Sequence, residues 1–364
     1  MSGRVSGRAS GRALRVVPLT GVGEVRTGDD LAGLLVAALR RAHHDLADGD
    51  VLAVSSKVVA KALGLWRADR EAAVAAESRG VVAERETANG TTRIVRAAAG
   101  PVMAAAGVDA SNTGPDAGGR VLVLPLDPDA EAARLRRDVA ALTGARPGVV
   151  LTDTSGRPWR AGQTDFALGC AGLRPTDDLR GGIDADGAPL SVTVRAVADE
   201  VAAAAELVKG KADGVPAAVL TGLDHLVTAE DGPGAAGLVR FGPSDWFALG
   251  TVEAVRTALG CPPGTAGVPL APAAPDPGGP GVLARAAAVA ASGAAADGLV
   301  GTVRPDAAAG TVVVEGPDAV AVGRLAERVV VAARAEGLRC HVDAAPPASP
   351  GPTTTVAVVV RPVR

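Results

Sequence analysis

The stretch GVVLTDTSGRPWRAGQTD, residues 148–165, joins a short apolar run to a dense group of polar side chains. Residues 148–151 predict a buried β-strand, because they are few, apolar and rich in β-branched valine. Two aspartates, four hydroxyl side chains, two arginines and a tryptophan follow, in a chain with only 2% aromatic residues. Polar groups collected at a strand end are typical of a ligand site in an α/β sheet. The stretch therefore predicts a fold class and a site together.

Strands and helices alternate outward from this stretch in both directions. Short apolar runs predict strands at 15–19, 51–54, 121–124, 149–152 and 215–222. Apolar residues at helical spacing predict helices over 29–44, 129–142 and 196–208, and a serine N-cap predicts another helix start at 55–57. This alternation indicates an α/β domain.

Composition excludes several classes of protein. The net charge of −3 and the absence of tyrosine argue against a nucleic-acid partner, which needs positive charge and aromatic platforms for stacking. Three distant cysteines without a C-x-x-C pair argue against a disulfide framework or structural zinc and favour the cytoplasm. No apolar run approaches the roughly 20 residues that span a bilayer, so no membrane partner is expected.

Changes in composition divide the chain into four predicted parts. Residues 1–14, a Ser-Gly-Arg repeat, predict a disordered leader, and 15–257 predict the main α/β domain. The Pro/Gly-rich segment 258–281 predicts a linker. Residues 282–364 predict a small α+β module with strands at 311–315 and 353–360, a single long helix at 318–336 and no visible catalytic cluster.

Standard nucleotide motifs fail, whereas scattered polar fragments fit phosphate chemistry. GVGEVR, residues 21–26, has arginine where a dinucleotide fingerprint needs its third glycine, and no P-loop motif occurs. Asp109, Asp153 and Thr154 offer the hard oxygen ligands that suit Mg²⁺ or Mn²⁺. Lysines at a helix start, of which Lys61 is one, favour phosphate. Lys209-Gly210-Lys211, at the end of a predicted helix, is a fourth fragment. Each fragment alone is more often a capped turn, but four such fragments in one domain favour a site.

Four of these segments, in this order, resemble the coenzyme F-420-0:L-glutamate ligase (F-420 γ-glutamyl ligase) family. They are VLAVSSKVVAK (51–61), AAAGVDASN (104–112), VLTDTSGRPWRAGQTD (150–165) and AVADEVAAAAELVKGKADGVP (196–216). The resemblance extends over residues 16 to about 245. It implies a two-lobed α/β fold, an intertwined homodimer, and GTP-dependent addition of L-glutamate to F-420-0 through an acyl phosphate. Further γ-linked glutamates would be an extension of the same reaction.

The resemblance also implies roles for particular residues. Asp109, Asp153 and Thr154 would hold Mg²⁺ or Mn²⁺, with two ions expected and K⁺ as a further candidate. The nucleotide site would comprise Val22, Gly23, Glu24, Val25, Ser56, Lys61, Asn112, Lys209, Gly210, Lys211, Asp213, Gly214 and Val215. Lys61 would also neutralise charge in catalysis, and Arg157 or Arg160 could hold a substrate carboxylate with a planar guanidinium.

Two departures from the family pattern leave alternatives open. AAAGPVM at 97–103 replaces a stretch that is usually polar. The segment after Trp246 is too short for the flavin-binding domain of actinobacterial two-domain relatives, so no flavin is expected. The alternatives are a non-catalytic nucleotide-binding regulator and a ligase for another carboxylated cofactor; the choice between GTP and ATP is also open.

Overall fold

A computed structural model describes residues 13–88, 90–241, 245–273, 281–344 and 356–363. Most of the predicted leader and residues 274–280 of the predicted linker lie outside the described residues. The chain divides into two compact units, which are described separately below. Unit 1 comprises residues 1–78 and 97–240, and unit 2 comprises 79–96 and 241–364. Whether a domain ending at 257 folds on its own stays a prediction.

The helices and strands are numbered here in chain order. The helices are α1 (Leu31–Arg41), α2 (Ser56–Ala62), α3 (Arg70–Glu77), α4 (Pro128–Thr143), α5 (Val197–Lys209), α6 (Thr251–Ala258), α7 (Gly281–Ala296) and α8 (Ala319–Ala335). The strands are β1 (Arg15–Pro18), β2 (Val51–Ser55), β3 (Trp66–Arg67), β4 (Ser78–Thr87), β5 (Gly90–Ala97), β6 (Val102–Ala104), β7 (Val121–Leu122), β8 (Gly148–Arg157), β9 (Arg160–Ala171), β10 (Asp177–Asp178), β11 (Val194–Arg195), β12 (Ala217–Thr221), β13 (Ala271–Pro272), β14 (Thr302–Asp306), β15 (Thr311–Gly316), β16 (Cys340–Ala344) and β17 (Val356–Pro362).

Unit 1 is built on a five-stranded sheet with the order β1-β12-β2-β8-β9. Strands β2 and β8 are parallel, and the other neighbours are antiparallel. Alternate residues of a strand point to opposite faces, so Leu52 and Val54 pack with α1 and α4, whereas Val51 and Ala53 pack with α5. The buried sheet between helices confirms the prediction of an α/β fold.

Helix α4 shows how local sequence sets the ends of these elements. The Asp127 carboxylate accepts a hydrogen bond from the Ala130 N–H at 3.0 Å, and Pro128 occupies the first turn, where its missing N–H is harmless. Gly144 ends the helix with a φ of 79°, a conformation that glycine adopts without strain. The predicted helix at 129–142 is thereby confirmed.

The opening stretch differs from its prediction in one respect. Strand β8 does not stop at Thr152 but continues to Arg157 and pairs with β9 in a hairpin. The register shifts between Leu151 and Thr152, which is a β-bulge or similar irregularity. The polar residues of the motif therefore lie on a paired strand rather than in a loop.

Unit 2 contains a four-stranded sheet, β14-β15-β17-β16, with α7 and α8 packed on it. The predicted strand at 311–315 and the helix at 318–336 are present, and the predicted strand at 353–360 is present from Val356, with residues 353–355 outside the described residues. The prediction of a single long helix is wrong, because α7 is a second one. Its sequence, GVLARAAAVAASGAAA, carries almost no polar face to indicate a surface helix. The hairpin of β4 and β5 also belongs to unit 2, apart from its end residues, with β13 beside β4.

Candidate active site

A cavity of about 310 Å³, the first cavity, opens in unit 1 where β2 ends and β12 begins. It collects most of the residues that the sequence predicted: Gly23, Glu24, Val25, Lys61, Asp109, Asn112, Asp153, Thr154, Lys209, Gly210, Lys211, Gly214 and Val215. These come from segments nearly 200 positions apart in the chain. The sheet brings them together because the parallel neighbours β2 and β8 direct Ser55 and Thr152 to the same edge.

Helix α2 supplies two of the lysines, although Lys61 lies in its last turn and not at the helix start that the sequence predicted. The Ser55 hydroxyl caps the helix by accepting a hydrogen bond from the Lys57 N–H at 3.4 Å. Lys57 and Lys61 are four residues apart and so lie on one helix face. Lys57 Nζ lies 2.7 Å from Asp109 Oδ2, and Lys61 Nζ lies 2.5 Å from Glu24 Oε1. Both ammonium groups are thus held at the cavity by a carboxylate.

Lys209, the last residue of α5, is the centre of a buried polar network. Its Nζ donates to Thr152 Oγ1 and to Asp165 Oδ2, each at 2.7 Å. The Thr154 hydroxyl donates to the other oxygen of Asp165 at 2.8 Å. The side chains of Lys209 and Asp165 are each only 3% exposed, and their pairing offsets the cost of burying both charges.

Three carboxylates of the first cavity differ in their protonation. Burial works to raise the pKa of Asp109, but hydrogen bonds from Lys57 and Ser111 outweigh it, so the pKa is lowered. Burial is also opposed at Asp165, where the Lys209 charge lowers the pKa. Burial raises the pKa of Asp153 to about 7, and the charges of Asp109 and Asp165 add to the effect.

Asp153 is therefore the carboxylate that lacks a cation. Among the described residues, no lysine, arginine or histidine lies within ion-pair distance of it, whereas Asp109 and Asp165 each have a lysine. No group of three His, Cys, Asp or Glu side chains in the described part of the chain forms a ready metal cluster. The donors present, two aspartates and the Thr154 hydroxyl, nevertheless fit a hard divalent cation that would also take phosphate oxygens. A bound cation would offset the repulsion that the charges of Asp109 and Asp165 exert on the half-buried Asp153 carboxylate.

The loop after α5 closes one side of the first cavity. Gly210 has a φ of 61°, and a Cβ added to it would lie 2.5 Å from Asp213 Oδ2. The Asn112 side-chain amide donates to the carbonyl of Lys211 at 3.0 Å and joins the loop to the Asp109 turn. Lys211 Nζ donates to the Thr154 hydroxyl at 3.3 Å. These contacts place two backbone segments and a lysine beside the carboxylates.

Some predicted residues do not line the first cavity. Val22 lies in the hydrophobic core, and Ser56 is buried in the first turn of α2. Asp213 lies behind Gly210. Arg157 and Arg160 are exposed register partners at the tip of the β8–β9 hairpin. Arg157 lines a second cavity of about 530 Å³, together with apolar residues such as Phe166 and Leu168.

The sequence interpretation missed four polar residues of the site. Ser55, Thr152, Asp165 and Glu206 all line the first cavity. Asp165 is the last residue of the opening stretch, and the hairpin places it opposite Thr154. A predicted hairpin between 148–157 and 160–171 would have revealed it, because paired strands bring such residues to one place.

Carboxylates and lysines that converge at the edge of an α/β sheet are typical of an enzyme active site. Comparison with known proteins gives the family. A sequence model of the family described as F420-0:Gamma-glutamyl ligase matches residues 21–222. The chain belongs to the F420-0:Gamma-glutamyl ligase family.

Individual relatives agree with this assignment. The coenzyme F420:L-glutamate ligase of Haloarcula marismortui is 40% identical over 239 residues, which cover 58% of this chain and 88% of that protein. That of Archaeoglobus fulgidus is 40% identical over 228 residues, with the same shares. That of Methanopyrus kandleri is 38% identical over 249 residues, covering 64% of this chain and 96% of that protein.

No helix in the described part of the chain is long and apolar enough to cross a membrane.

Proposed function

We propose that this protein joins L-glutamate to coenzyme F420-0 through an amide bond, in the biosynthesis of coenzyme F420. Its support is the convergence of two findings on the same residues. The family match extends over residues 21–222, and within that range Asp109, Asp153 and Thr154 meet the lysines in one cavity. Proteins of this family that carry the name coenzyme F420:L-glutamate ligase share about two fifths of their aligned residues with this chain.

The proposed reaction has two steps. A carboxylate oxygen of F420-0 attacks the γ-phosphorus of GTP, the bond to the bridging oxygen breaks, and GDP leaves with the electron pair. The amine nitrogen of glutamate, in its neutral form, then attacks the acyl carbon. The C–N bond forms, phosphate leaves with the electron pair of the C–O bond, and the surplus proton of the nitrogen passes to solvent.

The side chains of the first cavity suit this chemistry because phosphoryl transfer depends on placement and charge neutralisation. Lys61, Lys209 and Lys211 bring positive charge to the cavity, and the buried Lys209 is fixed by two hydrogen bonds. Asp109, Asp153 and Thr154 would hold Mg²⁺ or Mn²⁺. Such an ion would neutralise phosphate charge. From the family resemblance we further propose that the enzyme works as a homodimer, and from its three distant cysteines that it works in the cytoplasm.

Mass spectrometry tests the proposal directly. Purified protein is incubated with F420-0, L-glutamate, GTP and Mn²⁺, and the expected product carries one or more added glutamate residues. GDP and phosphate should appear in step with each amide bond. Protein that binds GTP but forms no such product would instead support a nucleotide-binding regulator. Glutamylation of a different carboxylated cofactor alone would identify a ligase with another acceptor.

A further inference from the structure

A third cavity of about 290 Å³ adjoins the first cavity at the carboxylate cluster. Asp109, Asp153, Thr154 and Lys211 line both cavities and form a shared wall. The third cavity also belongs wholly to unit 1. A molecule bound in it would therefore meet, at this wall, the phosphate chemistry proposed for the first cavity.

Arg70, the first residue of α3, gives the third cavity its distinctive charge. It lines the third cavity but not the first. Among the described residues it makes no ion pair or side-chain hydrogen bond, in contrast to Lys57, Lys61 and Lys209, which pair with carboxylates in the first cavity. An arginine without a partner in a cavity presents its planar donor fork to a ligand, and carboxylate matches that fork in two parallel hydrogen bonds. Gln163 adds a neutral amide to the same cavity.

Two groups that line the third cavity thus suit opposite ligand groups. Asp153, which has no ion-pair partner among the described residues, can accept a hydrogen bond from an amine, whereas Arg70 favours a carboxylate. At about 290 Å³ the cavity lies just below the usual range for ligand sites, which begins at about 300 Å³, so it suits a small ligand. An amino acid with an acidic side chain is small and carries both an amine and a distal carboxylate.

We infer that the third cavity binds the amino-acid substrate, with its amine at the shared wall and its side-chain carboxylate on Arg70. This inference rests on the proposed function, because it assigns a site to the glutamate of that reaction. The amine must reach an acyl group next to the nucleotide, so it belongs at the wall common to both cavities. Arg70 does not line the first cavity, so we assign it to the carboxylate at the end of the amino acid that is farther from the reacting amine. Arg70 then determines specificity for an acidic side chain.

Discrimination between glutamate and glutamine provides the test, because glutamine differs only in its uncharged side-chain end. The value of kcat/KM is measured for both amino acids with the wild-type enzyme, Arg70→Ala and Arg70→Lys. A charge-assisted bidentate pair is expected to contribute about 10- to 100-fold, so Arg70→Ala should lower the preference for glutamate by that factor. Arg70→Lys keeps the charge without the fork and should restore part of the preference.

Two controls separate a binding role from a structural one. The KM for GTP should stay within about twofold in Arg70→Ala, which shows that the carboxylate cluster is intact. Arg67→Ala removes an exposed arginine three residues away that does not line the third cavity, and it should leave the preference unchanged. An unchanged preference for glutamate in an active Arg70→Ala enzyme would overturn the inference alone. A wild-type protein that never glutamylates F420-0 would instead overturn the proposed function, and calorimetric titration with glutamate and glutamine would still test Arg70.

Discussion

Asp153 differs from Asp109 and Asp165 because it has no ion-pair partner among the described residues, although the charge of Lys211 acts on it without pairing. The charges of Asp109 and Asp165 add to burial in raising its pKa to about 7. With a pKa of about 7 this carboxyl group is only partly protonated near neutral pH, and a bound cation would favour its ionised form. Replacing Asp153 with a neutral residue should therefore raise the stability of the protein and lower its activity.

The first prediction concerns Asp153→Asn. The raised pKa means that the folded state holds its proton more tightly than the unfolded state. The stability contributed by this group is therefore present below about pH 4 and is lost as pH rises through about 7. Asparagine removes that loss, so without divalent cations the variant should exceed the wild type in free energy of unfolding by on the order of 1–3 kcal/mol at pH 8. At pH 4 the two proteins should be nearly equal.

Urea unfolding at both pH values measures the difference in free energy of unfolding between the variant and the wild type. Turnover with Mn²⁺ measures the loss of activity. Asp153→Asn should lose turnover, because a neutral amide is a weak ligand for a hard cation. A stability difference that is the same at pH 4 and pH 8 would show that the ionisation of Asp153 does not oppose folding. Wild-type turnover with saturating Mn²⁺ would remove Asp153 from the proposed metal ligands.

The second prediction concerns Lys61, whose side chain is 5% exposed and bound to Glu24. Lys61→Ala should weaken GTP about tenfold, because a charge-assisted hydrogen bond to phosphate is lost. Affinity for F420-0 should change by less than about twofold and serves as the internal control. Calorimetric titration of each ligand measures both values. Equal weakening of both ligands would indicate a general disturbance of the site rather than a phosphate contact.

At the residue scale, the sequence predicts site residues that lie within a recognisable motif. Asp109, Asp153 and Thr154 were predicted through a resemblance, and the structure brings them into one cavity. Asp165 escaped prediction because its importance comes from a strand partner. Its carboxylate links Thr154 and Lys209, and those contacts exist only after β8 and β9 pair.

Helix α5 and the loop behind it form the element that closes the first cavity. Gly210 has φ 61° and ψ 172°, a region that is essentially restricted to glycine. A Cβ at this position would also approach Asp213 Oδ2. The backbone at the end of α5 therefore depends on glycine, and the position of Lys211 depends on that backbone.

The third prediction is that Gly210→Ala displaces this loop and weakens nucleotide binding. The backbone strain is on the order of 1–3 kcal/mol, and part of it should appear as about a tenfold higher dissociation constant for GTP. Gly156→Ala is the matched control, since nothing lies within 4 Å of a Cβ at that glycine. Calorimetry on both variants measures the effect. Unchanged GTP affinity in Gly210→Ala would show that the loop is not part of the nucleotide site.

At the element scale, prediction succeeded where polar and apolar residues alternate clearly. Helix α4 has an aspartate cap, a proline in its first turn and a terminal glycine, so its range was predicted to within about a residue at each end. Helix α7 has no such markers and is apolar around most of its surface. Its glycine and alanine content resembles the neighbouring Pro/Gly segment, so composition alone assigned it no helix.

The whole molecule combines a site in unit 1 with a unit 2 that has its own core. Every residue that lines the first and third cavities belongs to unit 1. The core of unit 2 packs α7 and α8 against its antiparallel sheet. Truncating the chain near Thr257 would interrupt α6, which contains the buried Arg256 of unit 2. A substitution within unit 2 therefore tests its role more cleanly than a truncation.

The fourth prediction is that Glu336→Ala destabilises unit 2 and leaves turnover intact. Glu336 is 6% exposed and accepts hydrogen bonds from Arg256 at 3.0 Å and from Arg285 at 2.7 Å. Removing it strands two arginines whose side chains are 9% and 14% exposed. Breaking a buried ion pair costs about 3–5 kcal/mol because an uncompensated charge remains.

Thermal unfolding of the full-length protein should show this loss as a transition at lower temperature, whereas Glu327→Ala, an exposed site on the same helix, should change it little. Turnover at 25 °C should match the wild type in both variants, because no lining residue of the first cavity lies in unit 2. Turnover that falls together with the stability of unit 2 would mean that unit 2 supports the active site or the proposed dimer. Comparing Glu336→Ala with Glu327→Ala therefore shows whether catalysis depends on the stability of unit 2. Of these two glutamates, only Glu336 forms buried ion pairs.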